Sequence, residues 1–185
     1  FVAVGESGTI LTSSDGNSWT SRTSGSTKKL TEVIYANDTF MAVGYEGTIL
    51  TSPDGTTWTS RTSGTTIALR GATYGNSTFV AVGKSGGILT STDGTSWDNR
   101  TSGTSARLDE IIYGNSTFVT VGNNGTILTS MDGTTWTSRT SGTTENLRGV
   151  RFGSSTFVVV GKLGTVLTST DGTTWTSRTS GTTEN

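Results

Sequence analysis

The chain has 185 residues, 30% hydrophobic and 15% charged, with 26 Gly, one Pro and a net charge of −1. It holds neither Cys nor His, which removes a His general base, a Cys nucleophile, a thiolate zinc site and a disulfide framework together. The near-zero charge gives no electrostatic case for nucleic acid or an anionic membrane, and no apolar run is long enough for membrane insertion as a helix.

Ser and Thr make up roughly a third of the residues, against a background of few Leu and Ala, which disfavours helix. Trp recurs at Trp19, Trp58, Trp97, Trp136 and Trp175, a constant step of 39, and the whole chain keeps that step. A partial unit, 1–29, is followed by full units 30–68, 69–107, 108–146 and 147–185. Strand-like segments repeating at this period are the signature of a β-propeller. Each full unit opens on a Leu (Leu30, Leu69, Leu108, Leu147) that begins a first strand. In the last unit the predicted strands cover 147–152, 156–161, 165–169 and 175–180. Between them stand a Gly-Ser-Ser turn (Gly-Asn-Ser in earlier units), a Gly-x-x-Gly turn and an Asp-Gly-Thr-Thr turn. The expected architecture is all-β, a single-domain propeller of five four-stranded antiparallel blades. One blade lacks its first strand because Phe1 falls in mid-repeat. Two expectations follow: the chain is part of a longer protein, and the unpaired end strand favours a homo-oligomer.

The turn between strands three and four reads Ser13-Ser14-Asp15-Gly16-Asn17-Ser18-Trp19, and it recurs in phase at 52–58, 91–97, 130–136 and 169–175. Five such copies resemble the Asp-box, or BNR-type, β-propellers, in which this element is a structural hairpin away from the ligand face. The text Val-Gly-x-x-Gly-Thr-Ile-Leu-Thr-Ser further resembles the photosystem II assembly-factor and sialidase-related branch. Physically, the Asp accepts backbone N–H groups, the Gly supplies positive φ, and the Trp packs between sheets. We therefore assign structural roles to Asp15, Trp19, Asp54, Trp58, Asp93, Trp97, Asp132, Trp136, Asp171 and Trp175. A metal role for these Asp residues is disfavoured because none has acidic neighbours to complete an oxygen cage.

The sialidase resemblance implies an arginine cluster, a Tyr–Glu pair and an acidic general acid. Against it, Arg22, Arg61, Arg100, Arg139 and Arg178 repeat once per unit, as scaffold residues do; their expected place is over the Trp or against a neighbouring blade's carboxylate. Arg70, Arg107, Arg148 and Arg151 break the pattern but read as a loose group. Catalysis needs asymmetry, and the repeats show little; glycoside hydrolysis is the least favoured function, and no cofactor is implied. The sequon at Asn76 and at Asn115 reads as a turn.

The units differ most in the turn between strands two and three and in the connection from strand four to the next strand one. Both are expected at one end of the propeller, which makes that end the expected binding face. Tyr45, Glu46, Lys84, Asn123, Asn124 and Lys162 are its candidate ligand-binding residues, with a carbohydrate or a protein surface as partner. A lectin-like binding module is the first reading; a self-assembling surface repeat protein and an assembly factor are the alternatives. The Thr-rich, Lys-poor surface points to an extracellular or cell-envelope setting.

Overall fold

A computed structural model describes residues 1–184; Asn185, the last residue of the fifth unit, lies outside the described residues. The chain forms one three-stranded and four four-stranded antiparallel sheets, each in simple sequential order. The first blade holds β1 (Val2–Val4), β2 (Ile10–Thr12) and β3 (Thr20–Arg22). The second holds β4 (Leu30–Ala36), β5 (Thr39–Gly44), β6 (Ile49–Ser52) and β7 (Thr59–Arg61), and the third β8 (Leu69–Gly75), β9 (Thr78–Gly83), β10 (Ile88–Ser91) and β11 (Asp98–Arg100). In the fourth lie β12 (Leu108–Gly114), β13 (Thr117–Gly122), β14 (Ile127–Ser130) and β15 (Thr137–Arg139). The fifth comprises β16 (Leu147–Gly153), β17 (Thr156–Gly161), β18 (Val166–Ser169) and β19 (Thr176–Arg178). The expected fold class stands, including the blade that lacks a first strand. The fourth strand is shorter than 175–180, because the Ser180 hydroxyl accepts the Thr182 N–H and turns the chain out of the ladder.

Turn chemistry sets the registers. Asn76 and Ser77 both have positive φ (45° and 56°) and close the two-residue loop between β8 and β9, the geometry whose twist matches paired strands. The Asn76 amide also donates to the Met131 carbonyl of the next blade at 3.3 Å, so this residue ties blades as well as turning the chain. At the opposite end of the hairpins, Gly86 has φ +67°, and a Cβ there would stand 1.9 Å from the Thr104 carbonyl oxygen; only Gly fits.

The Ser-x-Asp-Gly turns are closed by hydrogen bonds. In the second blade the Asp54 carboxylate accepts the Thr56 and Thr57 N–H groups at 2.8 and 2.9 Å, and the Ser52 hydroxyl accepts the Gly55 N–H at 2.8 Å. The Trp58 ring N–H donates to the Gly55 carbonyl at 2.9 Å, while the ring lies against the cluster between the first two blades. The Thr57 N–H above all, then the Thr56 hydroxyl and N–H, holds the Asp54 carboxyl well below the usual carboxylate range. The repeating arginines behave otherwise than expected. Each donates from Nε to the Thr hydroxyl of its own blade's third strand, at 2.7 to 2.8 Å, as Arg61 does to Thr51. Among the described residues none lies over a Trp ring.

The core is four layers, one between each pair of adjacent blades. Val80, Val82 and Ile88 of the third blade meet Leu108, Ile111, Phe118 and Leu128 of the fourth, and the other three junctions repeat the pattern. Burying each such side chain stabilises by roughly 1.5–3 kcal/mol. One set is uncovered among the described residues: Val158 and Val160 of the fifth blade are 39% and 47% exposed, whereas Val119 and Val121, at the same positions one unit earlier, are buried.

Candidate binding site at the channel mouth

The first strands β4, β8, β12 and β16 pack against one another as the innermost strands. Each carries a bulge after its opening Leu, where the register shifts between Leu30 and Glu32, Leu69 and Gly71, Leu108 and Glu110, and Leu147 and Gly149. A bulge leaves its extra residue unpaired and re-aims it. Thr31, Arg70, Asp109 and Arg148 are those residues, and they reach from blade to blade around the channel mouth. Thr31 donates to the Leu69 carbonyl at 3.0 Å. Arg70 bonds the Asp109 carboxylate at 2.8 Å from one side, and Arg148 bonds it at 2.6 Å from the other. Arg107, from the connection into β12, donates from Nη2 to the same carboxylate at 2.9 Å. Its Nε stands 2.8 Å from Oδ1 but out of line for a hydrogen bond, and is buried without another partner among the described residues.

Three guanidiniums therefore share one buried carboxylate, a cationic cluster held at fixed geometry beside a cavity that Glu6, Glu32 and Glu110 also line. The sequence reading of these arginines as a loose group is corrected: Arg70, Arg107 and Arg148 converge, while Arg151 lies apart, its Nη1 3.0 Å from Glu110 Oε2. Sequence reasoning missed Asp109 as the hub. The signal was present, because Asp109 stands one repeat step of 39 residues from both Arg70 and Arg148.

A cavity of about 530 Å³ opens beside this cluster, lined by Tyr45, Lys29, Glu32, Arg70, Asp109 and Glu110 among others. Burial, then repulsion from Glu110, pushes the Glu32 carboxyl up to about 7, against the opposing pull of Arg151 and the Val33 N–H.

The six sequence-predicted ligand residues do not form one patch. Tyr45 lines the cavity, with Lys84 Nζ 5.8 Å from its ring centroid, and Asn123 accepts from Arg148 at 3.1 Å. These three surround the mouth. Glu46 pairs with Lys28 at 2.6 Å and faces an outer groove between blades, which also contains Arg61 and Thr65. Asn124 faces the equivalent groove two units on, its N–H bonded to the Asn146 side chain at 3.0 Å. Lys162 is placed in the fifth blade's turn, its N–H bonded to the Asn146 carbonyl at 2.9 Å. The turns and connections do meet at one end, as in the bond from the Tyr45 N–H to the Lys29 carbonyl at 2.9 Å. Among the described residues no group of three or more acidic side chains is arranged to hold a metal ion, and no helix is long and apolar enough to cross a membrane.

Residues 1–101 match the family described as the DUF6242 beta propeller domain. No curated protein matches the chain in sequence. Among solved structures, YCF48 bound to D1 peptide superposes with a TM-score of 0.72 at 20% identity, over 95% of this chain and 62% of that one. YCF48 from Cyanidioschyzon merolae gives 0.71 at 17% identity, over 100% and 68% of the respective chains. The computationally designed Ika8 protein gives 0.74 at 12% identity, over 99% and 62%. At such identities the likeness is one of fold, and the chain spans 62% to 68% of the length of these structures.

Proposed function

The chain belongs to the DUF6242 β-propeller domain family, and from that premise we propose that it is a non-catalytic propeller that binds a protein segment at its channel mouth. The observation that carries this reading is the convergence of Arg70, Arg107 and Arg148 on the single carboxylate of Asp109. Their surplus of donors suits an acidic group of a partner, which would take hydrogen bonds that Asp109 alone leaves unused. Tyr45, Lys84 and Asn123 form the rim of the same site. A peptide-bound YCF48 structure among the fold neighbours adds support for a protein ligand over a carbohydrate. We read the Ser-x-Asp-Gly-x-x-Trp turns as Asp-boxes whose work is structural.

The test is fluorescence anisotropy with a panel of labelled peptides carrying Asp or Glu, beside their amide counterparts. Acidic peptides are expected to bind and to lose at least tenfold in affinity in the Arg70→Gln/Arg148→Gln double variant. Equal binding of the amide peptides, or binding unchanged in the double variant, overturns the reading. A self-assembling repeat protein is the second reading, favoured by the near-identity of the repeat units.

A further inference from the structure

The two outer grooves, in the second and fourth blades, have volumes of about 680 Å³ each and take no part in the channel-mouth site. They are lined by the same positions of their repeats, two steps of 39 residues apart: Ser60, Arg61 and Gly64 in one correspond to Ser138, Arg139 and Gly142 in the other. Among the described residues, hydroxyls, glycines and a guanidinium make the walls, and no aliphatic or aromatic residue lines either groove. Local bonds hold the shape. In the fourth blade the buried Ser141 hydroxyl accepts the Thr143 N–H at 3.3 Å and donates to the Thr143 carbonyl at 3.1 Å. Gly125 packs on that carbonyl so closely that a Cβ would stand 1.9 Å from its oxygen, whereas Gly142 has open space where a Cβ would be. The main chain at Gly142 is therefore bare.

The arginine is the charged residue both grooves share. Nε of Arg61 and of Arg139 donates to the Thr51 and Thr129 hydroxyls at 2.7 and 2.8 Å, which fixes each guanidinium, and neither Nη group has an acceptor among the described residues. In the intervening third blade the corresponding Arg100 already gives Nη2 to Asp98 at 2.9 Å, where the other two blades have Thr59 and Thr137. Asp132 and Asp171 border Arg139 on the side toward the fifth blade, but their carboxylates are taken up by their own turns. Asp132 accepts the Thr134 and Thr135 N–H groups at 2.8 Å, and Asp171 those of Thr173 and Thr174 at 2.8 and 2.9 Å. One lining position distinguishes the grooves in charge. The second blade has Glu46, paired with Lys28, where the fourth has Asn124 and no carboxylate in its lining.

We propose that the outer groove of the fourth blade, with that of the second as a weaker copy, binds an acidic polysaccharide. The Nη groups of Arg139 take the carboxylate of a uronic acid residue, because a guanidinium pinned at Nε still offers a planar pair of donors. Ser138, Thr140 and Thr144 take the sugar hydroxyls, since a side-chain hydroxyl both donates and accepts. A peptide's apolar side chains would find no surface to bury here, whereas a sugar ring rimmed with hydroxyls meets polar groups on every wall. Two copies of one groove on a rigid frame also suit a ligand that repeats, since a polymer held at one is concentrated at the other. The site lies apart from the arginine cluster at the channel mouth and does not rest on the reading given to that cluster.

The test is biolayer interferometry of the 185-residue chain over immobilised oligogalacturonate, oligomannuronate and hyaluronan, beside methyl-esterified oligogalacturonate and dextran sulfate. At least one of the three uronates is expected to bind about tenfold more tightly than the methyl ester and the dextran sulfate, the worth of a hydrogen bond to a charged group. Arg139→Gln is expected to lose a similar factor. Asn124→Glu keeps every bond of Arg139 and copies Glu46, which holds the same left-handed turn at φ 54°, so it tests the site without disturbing the fold. It is expected to weaken binding several-fold, and Glu46→Asn to strengthen it, while Arg70→Gln/Arg148→Gln leaves it intact. The proposal is overturned if none of the three uronates binds, or if the methyl ester or dextran sulfate binds as well as they do. Binding undiminished in Asn124→Glu and Arg139→Gln overturns it too, and so does loss in Arg70→Gln/Arg148→Gln, which would place the glycan at the channel mouth.

Discussion

At the scale of single residues, near-identical repeats act as internal controls, because one position can be compared across blades that share its backbone. Leu163 sits at φ 51° in the turn between β17 and β18, where the fourth blade has Asn124 at φ 56°. A left-handed conformation costs a Leu roughly 1–2 kcal/mol, and Leu163 is half exposed, with little packing to offset that cost. Leu163→Asn is therefore expected to stabilise the fold by about 1 kcal/mol, read as a higher urea midpoint. Glu32 supplies a pH-dependent term of definite sign. Its carboxyl titrates near 4.5 when unfolded and at about 7 in the fold, where burial and Glu110 raise it and Arg151 and the Val33 N–H oppose the rise. The folded state thus holds the extra proton between those values. Its contribution is fully present below about pH 4.5 and is lost as pH rises through about 7. Glu32→Gln is expected to flatten that slope and to stabilise at pH 8 by on the order of 1 kcal/mol, allowing for partial exposure. Thermal melts at pH 5 and pH 8 check both statements.

At the scale of elements, the Ser-x-Asp-Gly hairpin and the first-strand bulge differ in how far the sequence revealed them. Serine, aspartate, glycine and tryptophan at fixed offsets specify the hairpin because every bond in it is local, within three residues. Ser91 shows where its stability resides. Its buried hydroxyl accepts the buried Gly94 N–H at 2.8 Å, so Ser91→Ala leaves that donor without a partner and is expected to cost about 1–3 kcal/mol. The Asp carboxylates add a second term: Asp54, Asp93, Asp132 and Asp171 are all held well below the ordinary range by local N–H and hydroxyl donors. Stability from them is present above the unfolded carboxylate range and lost as pH falls below about 4, so acid unfolding is expected to steepen there. The bulge is another matter. No local signal marks it, since Leu-Thr-Glu, Leu-Arg-Gly and Leu-Asp-Glu share little beyond the Leu. The meeting of Arg70 and Arg148 on Asp109 depends on contacts 39 residues apart, which only the aligned repeats place together. For the same reason Tyr45, Lys84 and Asn123 lie around the mouth, while Glu46 and Asn124, grouped with them from the sequence, face outer grooves: the sequence tells which loops share an end, not which way a left-handed residue points.

At the scale of the whole molecule, stability comes from blades pressed against blades, and the two ends of the series differ from its interior. Val119 and Val121 are sealed against Leu147, Val150 and Val159 of the following blade, whereas Val158 and Val160, one repeat step later, remain partly open to solvent. Replacing valine by threonine changes volume little but adds a hydroxyl. At Val119 or Val121 that group is buried among apolar side chains, and each substitution is expected to cost about 1–3 kcal/mol. At Val158 or Val160 it stays in water, and the expected change is within about 0.5 kcal/mol. Urea unfolding of the four single variants, at two protein concentrations, makes the comparison within one sheet geometry. Equal, small effects at Val158 and Val160 at both concentrations mean that no second copy covers the fifth blade's face, as the binding reading expects. Large effects that grow with concentration mean instead that another copy covers this face, and the self-assembling reading then gains at the expense of the binding one.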